Sequence, residues 1–300
     1  MKTKSLSISI IALILIAAAL SGPAFGARKV IISTDIGDDI DDAFALVFAL
    51  NSPELKIDAI IASYGNPVRK AKEIQKLLHI AGRDDIPVIV GKYVSNHDSE
   101  QLRWAADWRL KNVVNDGARA LVRRIMRSPE KVTLIPYGPL TDIAEMLKIE
   151  PKVKEHIDEI ILMGGSIGND AEYNIREDTK ASQIVFESGV PIVMAGLEVT
   201  AMMQIREPDM DRIEACQKPL VKALFTVYKA WGRRKNPTMY DPVALAIAFQ
   251  RDIVKMEYEC VKVTDKGFTQ ITPNCKPNTY VCVDVDKQRF MKLFIERILK

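Results

Sequence analysis

An α/β fold, built on a doubly wound, mostly parallel sheet with helices on both faces, is what this sequence predicts. Three observations carry the expectation. Short β-branched runs alternate with helical patterns from Lys29 onward. The runs, such as Val30-Ile31-Ile32 and Ile160-Ile161-Leu162-Met163, are apolar at every position, as strands buried on both faces are. Polar clusters follow directly on several of them, at the strand ends where ligands bind in open parallel sheets.

Taken in order, the predicted strands cover residues 30–32, 57–62, 87–90, 132–136, 159–163 and 191–194. Helical patterns fall between them at 41–50, 69–81, 117–127, 140–147 and 179–188. Residues 208–249 read as helices, 254–285 as a strand pair with Gly267 near its turn, and Asp286 as the N-cap of a last helix. At roughly 100–200 residues per domain, 300 residues admit one large domain or two small ones. No linker, repeat or low-complexity stretch divides the chain, so residues 27–300 read as a single domain. A composition of 48% apolar and 27% charged residues excludes a disordered or collagen-like chain.

The N-terminus has a different character. Lys2 and Lys4 precede an aliphatic run over 8–20, and Ala24 and Gly26 occupy the small positions of a cleavage site, the pattern of a signal peptide spanning residues 1–26. The run is shorter than the roughly 20 residues a membrane-spanning helix requires. A secreted or periplasmic protein, with no membrane attachment after cleavage, is the expectation. Cleavage removes two lysines and no acid, which lowers the net charge from +3 to about +1. So neutral a chain has no basic field to recruit nucleic acid. Export permits a disulfide among Cys216, Cys260, Cys275 and Cys282, with no pairing favoured by spacing; the lack of a C-x-x-C element argues against zinc.

The densest chemistry follows the first strand. Asp35, Asp38, Asp39, Asp41 and Asp42 lie within eight residues. Capping of the helix that opens at Ala43 by Asp41 or Asp42 accounts for one or two of them. Five like charges so close together call for a cation, and an all-oxygen donor set favours Ca²⁺ or Mg²⁺. Further polar groups follow later strands: Asn66 after the second, Tyr137-Gly138 after the fourth, and Asn169, Glu172 and Asn174 after the fifth. Such amides and carboxylates suit a polyhydroxylated ligand such as a sugar. Asp241, taken alone, reads as a helix cap.

Together these residues resemble the inosine-uridine type nucleoside hydrolases over about residues 29–249. The resemblance rests on the aspartate cluster, Gly138-Pro139-Leu140-Thr141-Asp142-Ile143-Ala144, Met163-Gly164-Gly165, Glu172-Tyr173-Asn174 with Asp178, Gly196-Leu197-Glu198-Val199-Thr200 and Asp241-Pro242. It implies Ca²⁺-dependent hydrolysis of the N-glycosidic bond of a ribonucleoside or related N-riboside, giving ribose and free base. It further implies that Asp35 holds the metal and takes a proton from the attacking water. Asp42, Asp241 and the backbone carbonyl of Tyr137 would complete the metal site. Asp41, Asn66, Asn169, Glu172 and Asn174 would bind the ribose, and relatives are commonly dimers or tetramers.

The sequence also departs from the family pattern. Ser33 replaces an acid, Ile36 replaces a proline, and two extra residues separate Gly37 from the Asp41-Asp42 pair, so that Asp38 or Asp39 could stand in for Asp41 at the ribose. Tyr240 replaces the histidine that helps protonate the departing base, as a donor, a stacking group or a packing residue. The loop between Gly168-Asn169 and Glu172 is shorter than usual. His79 reads as a structural residue in an apolar helical pattern, and His97 as part of a surface loop or a lid beside the base. Trp104, Trp108 and Trp231 are candidates for stacking on a nucleobase. A non-catalytic protein that binds a ribosyl ligand or Ca²⁺ in the same cleft is the rival reading. A phosphoesterase is disfavoured, since no phosphate-cradling loop or basic cluster accompanies the aspartates.

Overall fold

The structure is a computed structural model that describes residues 26–168, 170–232 and 236–300. The export signal therefore lies outside the described residues except at its last position, and Asn169 lies outside them as well. Eight strands form one sheet in the order β3-β2-β1-β4-β5-β6-β10-β7. They are β1 (Arg28–Thr34), β2 (Leu55–Ala62), β3 (Val88–Val90), β4 (Val132–Pro136), β5 (Ile157–Met163), β6 (Ile192–Ala195), β7 (Val254–Glu259) and β10 (Thr279–Val285). All neighbours run parallel except β7 and β10, which pair antiparallel at the edge.

The all-apolar strand runs follow from burial on both sides. Along β1, Val30 and Ile32 enter one hydrophobic core while Ile31 enters the other, because successive side chains point to opposite faces. Helices Asp41–Leu50, Pro67–Ile80, Pro219–Trp231, Tyr240–Ile247 and Lys287–Ile298 cover the first face. Gly117–Met126, Thr141–Ile149 and Thr179–Phe186 cover the second. The chain winds outward from β1 through β2 to β3, then returns to lay β4 on the other side of β1. Strand order reverses there, and the crevice beyond the carboxyl ends of β1 and β4 is the position where such sheets bind ligands.

The C-terminal third differs from the expected strand pair. Between β7 and β10 the chain inserts a small separate hairpin, β8 (Val261–Val263) with β9 (Thr269–Ile271), and Gly267 sits in its turn with φ +79°. A disulfide joins Cys260 to Cys275 across the base of this excursion, whereas Cys216 and Cys282 are free. The hairpin docks on the fifth-strand loop: Thr269 Oγ1 accepts the N–H of Ser166 (2.8 Å) and donates to its carbonyl (2.7 Å). Asp286 caps the last helix as expected, accepting the N–H of Arg289 at 3.0 Å.

A cross-link closing a loop of this size stabilises by about 3 kcal/mol in the chain-entropy account. The double variant Cys260→Ser/Cys275→Ser should therefore melt well below the wild type under oxidising conditions. Reductant should lower the wild-type melting temperature and leave that of the variant unchanged, as followed by circular dichroism.

Candidate active site

Backbone pairing brings the aspartate loop and the end of β4 together. Ser33 aligns with Pro136, and the N–H of Tyr137 donates to the Ser33 carbonyl at 2.9 Å. Chain and crevice thus place Asp35 beside Tyr137 and Gly138. A cavity of 480 Å³ opens here, lined by Asp35, Asp38, Asp39, Asp41, Asp42, Tyr137, Glu172, Asn174, Tyr240 and Asp241, with His97 and Tyr173 among the remaining lining residues.

Carboxylate oxygens of Asp41, Asp42 and Asp241 come within 4.8 Å of one another, and all three residues are buried. Asp42 accepts a hydrogen bond from Thr34 Oγ1 at 2.6 Å. Asp41 Oδ2 accepts the backbone N–H groups of Tyr240 (3.1 Å) and Asp241 (3.3 Å). Asp41 therefore caps helix Tyr240–Ile247 from a distant part of the chain. Two capping expectations are corrected by this arrangement. Asp241 lies inside the first turn of its helix rather than at the cap, and helix Asp41–Leu50 begins after Ile40 with no side-chain cap. Both acidic first turns instead aim the positive ends of their helices at the cluster. The tight triad contains Asp41 in the place where Asp35 was expected. The Asp35 carboxylate lies next to it against Gly138, where a Cβ would stand 2.6 Å from Asp35 Oδ1. Only glycine leaves that oxygen its space.

Burial raises the carboxyl pKa of Asp35, Asp42 and Asp241 well above the usual range, and neighbouring aspartates raise it further. Asp41 is pushed up to about 7, again chiefly by burial and then by Asp39. Converging, buried, oxygen-only donors with no histidine or cysteine suit a hard divalent cation, and a cation would offset the repulsion that lifts these values.

The remaining predicted residues are distributed unevenly. Asp39 lies at the cavity and accepts the N–H of Ile40 at 2.7 Å. Glu172 is buried, and its two oxygens accept the N–H groups of Gly165, Asn174 and Ile175 at 2.9–3.1 Å, so it shapes the fifth-strand loop at the cavity wall. Asn174 Nδ2 donates to the Met163 carbonyl at 3.2 Å. Asn66 caps helix Pro67–Ile80 through the N–H of Arg69 and bonds Asn96, at the neighbouring strand end. Burial, first of all, raises the phenol pKa of Tyr240, which faces Asp41 and Asp39.

Side chains named as possible base contacts separate clearly. His97 lines the cavity, 3.5 Å from Asp38. His79 lies on the surface against Asp84 and Trp108. Trp104 carries Lys76 over its ring, and Trp231 lies tilted against Tyr228; no tryptophan lines the cavity, so the stacking expectation is corrected for all three. Tyr173, half-exposed with the Arg176 guanidinium over its ring, is instead an aromatic residue of the wall, beside Tyr137 and Tyr240. It stood unremarked inside the Glu172-Tyr173-Asn174 motif. Lys70 and Glu73, both fully buried beneath the loop, were also missed.

Because folding raises these carboxyl pKa values, the metal-free protein binds more protons than the unfolded chain above about pH 4. Their stabilising contribution is complete below that point and lost as pH rises through about 7 and beyond. In chelator, the melting temperature should fall between about pH 5 and pH 8. Added Ca²⁺ should raise it more at the upper end of that window. A melting temperature that climbs with pH in chelator would contradict the assignment.

Sequence comparison agrees with the geometry. The profile described as inosine-uridine preferring nucleoside hydrolase matches residues 30–292. A pyrimidine-specific ribonucleoside hydrolase RihA of Enterobacter sp. is 33% identical over 310 residues, covering 91% of this chain and 98% of the relative. Its counterpart from Salmonella enteritidis is 34% identical with the same coverage. A plant nucleoside hydrolase, PpNRh1, superposes with a TM-score of 0.82 at 24% identity over 91% of this chain and 99% of its own. A purine-preferring ribonucleoside hydrolase from Gardnerella vaginalis gives 0.75 at 24% identity, over 91% of this chain and 98% of its own. Those structures speak to fold, whereas the profile and the relatives above 30% identity speak to descent: the chain belongs to the inosine-uridine preferring nucleoside hydrolase family.

Proposed function

We propose that this chain is a Ca²⁺-dependent ribohydrolase that splits a ribonucleoside, or a related N-riboside, into ribose and free base. The observation that carries the reading is the convergence of Asp41, Asp42 and Asp241, with Asp35 alongside, at the floor of one cavity at the sheet's switch point. Cleaving an N-glycosidic bond develops positive charge on the ribose ring, as in glycoside hydrolysis generally. A floor of carboxylates stabilises that charge where it forms. Bound Ca²⁺ would supply a site for the ribose diol and lower the pKa of a neighbouring water.

Protein groups then divide the work. Asp35, at the cavity beside the triad, takes the water's proton. Asp35, Asp42, Asp241 and the Tyr137 carbonyl would hold the cation. Asp41 is tied through Oδ2 to helix Tyr240–Ile247 and offers its other oxygen to the cation or the ribose. Asp39, Asn66, Asn169, Glu172 and Asn174 are the remaining groups assigned to the sugar. Tyr240 and His97 line the cavity and are assigned to the base. Residues 1–26 export the protein, so the substrate is met outside the cytoplasm. Assembly into a homodimer or homotetramer completes the proposal.

Reducing-sugar release from uridine, cytidine and inosine should appear with Ca²⁺ and vanish in chelator. Asp35→Ala should lower kcat by more than about a thousandfold while retaining Ca²⁺-dependent ligand binding, a loss of the size expected when a water-activating group is removed. Binding without turnover by the wild type would sink the hydrolase reading and leave the non-catalytic one. Gly138→Ala supplies an independent check. Its Cβ would displace the Asp35 carboxylate, and a shift of about 1 Å should reduce kcat by about a hundredfold. Unchanged kcat in a folded Gly138→Ala protein would show that the Asp35 position does not matter.

A further inference from the structure

Helix Pro67–Ile80 passes beneath the aspartate loop and sends one lysine into it. Lys70 is completely buried. Its ammonium donates to the carbonyl oxygen of Asp35, to that of Ile36 at 3.3 Å, and to Asp38 Oδ1 at 2.5 Å. An ammonium has three protons, and here all three acceptors belong to one four-residue stretch. Glu73, one turn further along and equally buried, has no hydrogen-bond partner for either carboxylate oxygen. Asp38 is thus the ion-pair partner of Lys70.

The stretch that Lys70 grips is the part of the loop that departs most from the family pattern. The two additional residues before Asp41-Asp42 give a longer turn more freedom to lose on ordering. Gly37, at φ +94°, turns the backbone there, and Leu102 packs where its side chain would be. Ser99 Oγ donates to the Gly37 carbonyl at 2.7 Å, and His97 Nε2 lies 3.5 Å from the same Asp38 oxygen that Lys70 holds. The loop is pinned from above by 97–102 and from below by Lys70.

We propose that Lys70 is a positioning residue: its ammonium fixes the Asp35 and Ile36 carbonyls and the Asp38 carboxylate, and so sets where the Asp35 side chain meets the cation and the water. The inference rests on the reading of this cavity as a Ca²⁺-dependent ribohydrolase site. It makes a prediction of opposite sign to bare electrostatics. As a nearby positive charge alone, Lys70 repels an incoming cation, and its removal would tighten Ca²⁺ binding. As the anchor of the loop, its removal loosens binding.

Calorimetric titration of the full chain with Ca²⁺ separates the two, together with kcat and KM for whichever nucleoside the wild type cleaves. Lys70→Met should weaken Ca²⁺ binding by about tenfold or more, the range found when groups that orient metal ligands are removed. At saturating Ca²⁺ it should still lower kcat more than it changes KM. Asp38→Asn, which keeps an acceptor and removes the charge, should shift both quantities in the same direction by less. Lys72→Met, on the same helix but on its outer side, bonded to the Ala106 carbonyl, serves as the control and should change neither. Ca²⁺ binding equal to or tighter than wild type in Lys70→Met would overturn the inference. If circular dichroism shows that Lys70→Met does not fold, Lys70→Arg decides: it keeps the charge and changes only the geometry of the bonds to residues 35–38, so weaker Ca²⁺ binding supports the anchor and unchanged binding overturns it. A wild type that neither binds Ca²⁺ nor releases ribose defeats the parent reading and this one with it, whereas active wild type with unaltered variants defeats this one alone.

Discussion

Mutual repulsion among buried carboxylates is the constraint around which this molecule is organised. Asp35, Asp41, Asp42 and Asp241 are each at most 4% exposed. Ionised carboxylates taken out of water cost several kcal/mol apiece unless something compensates them. The fold concentrates its compensations here. Two helix N-termini face the cluster, Thr34 donates to Asp42, backbone amides donate to Asp41, and a lysine holds the flank. What remains uncompensated is visible as raised proton affinity, and it is the affinity that a divalent cation exploits.

The sheet gives this constraint a location. Strand order reverses between β1 and β4, so their carboxyl ends leave a crevice no crossover fills. Residues that would be ruinous in the sheet interior are tolerated at its rim. The second face of the cavity comes from the fifth-strand loop, whose shape is fixed by Glu172 on one side and by Glu198 on the other. Glu198 Oε1 accepts Ser166 Oγ at 2.8 Å and the N–H of Ile167 at 2.9 Å. Thr269 holds the same loop from the disulfide-closed hairpin, so the C-terminal region, which the family profile also spans, bears on the wall of the cavity.

Much of this was legible in the residues themselves. Continuous apolar runs announced strands buried on both faces, and a five-aspartate loop could not be explained by capping. Other features were hidden for physical reasons. β8 and β9 are three residues each, too short for alternation to mark them off from the strands around them. Lys70 and Glu73 were overlooked because charged residues in a helix usually face water. Their spacing held the signal: with Ile74 and Leu77 they lie on the buried stripe of helix Pro67–Ile80. The caps expected of Asp41 or Asp42 and of Asp241 failed because Asp41 serves a helix far along the chain, a partnership that no local pattern encodes. Three tryptophans suggested stacking by residue type alone, whereas the aromatic residues that line the cavity are Tyr137, Tyr173 and Tyr240.

The contact between Asp41 and the amides of Tyr240 and Asp241 spans 200 residues of sequence. Closing a loop of that length costs more chain entropy than any local cap does. A cation seated among these carboxylates would bind the folded chain and not the unfolded one, and so would stabilise the fold by mass action.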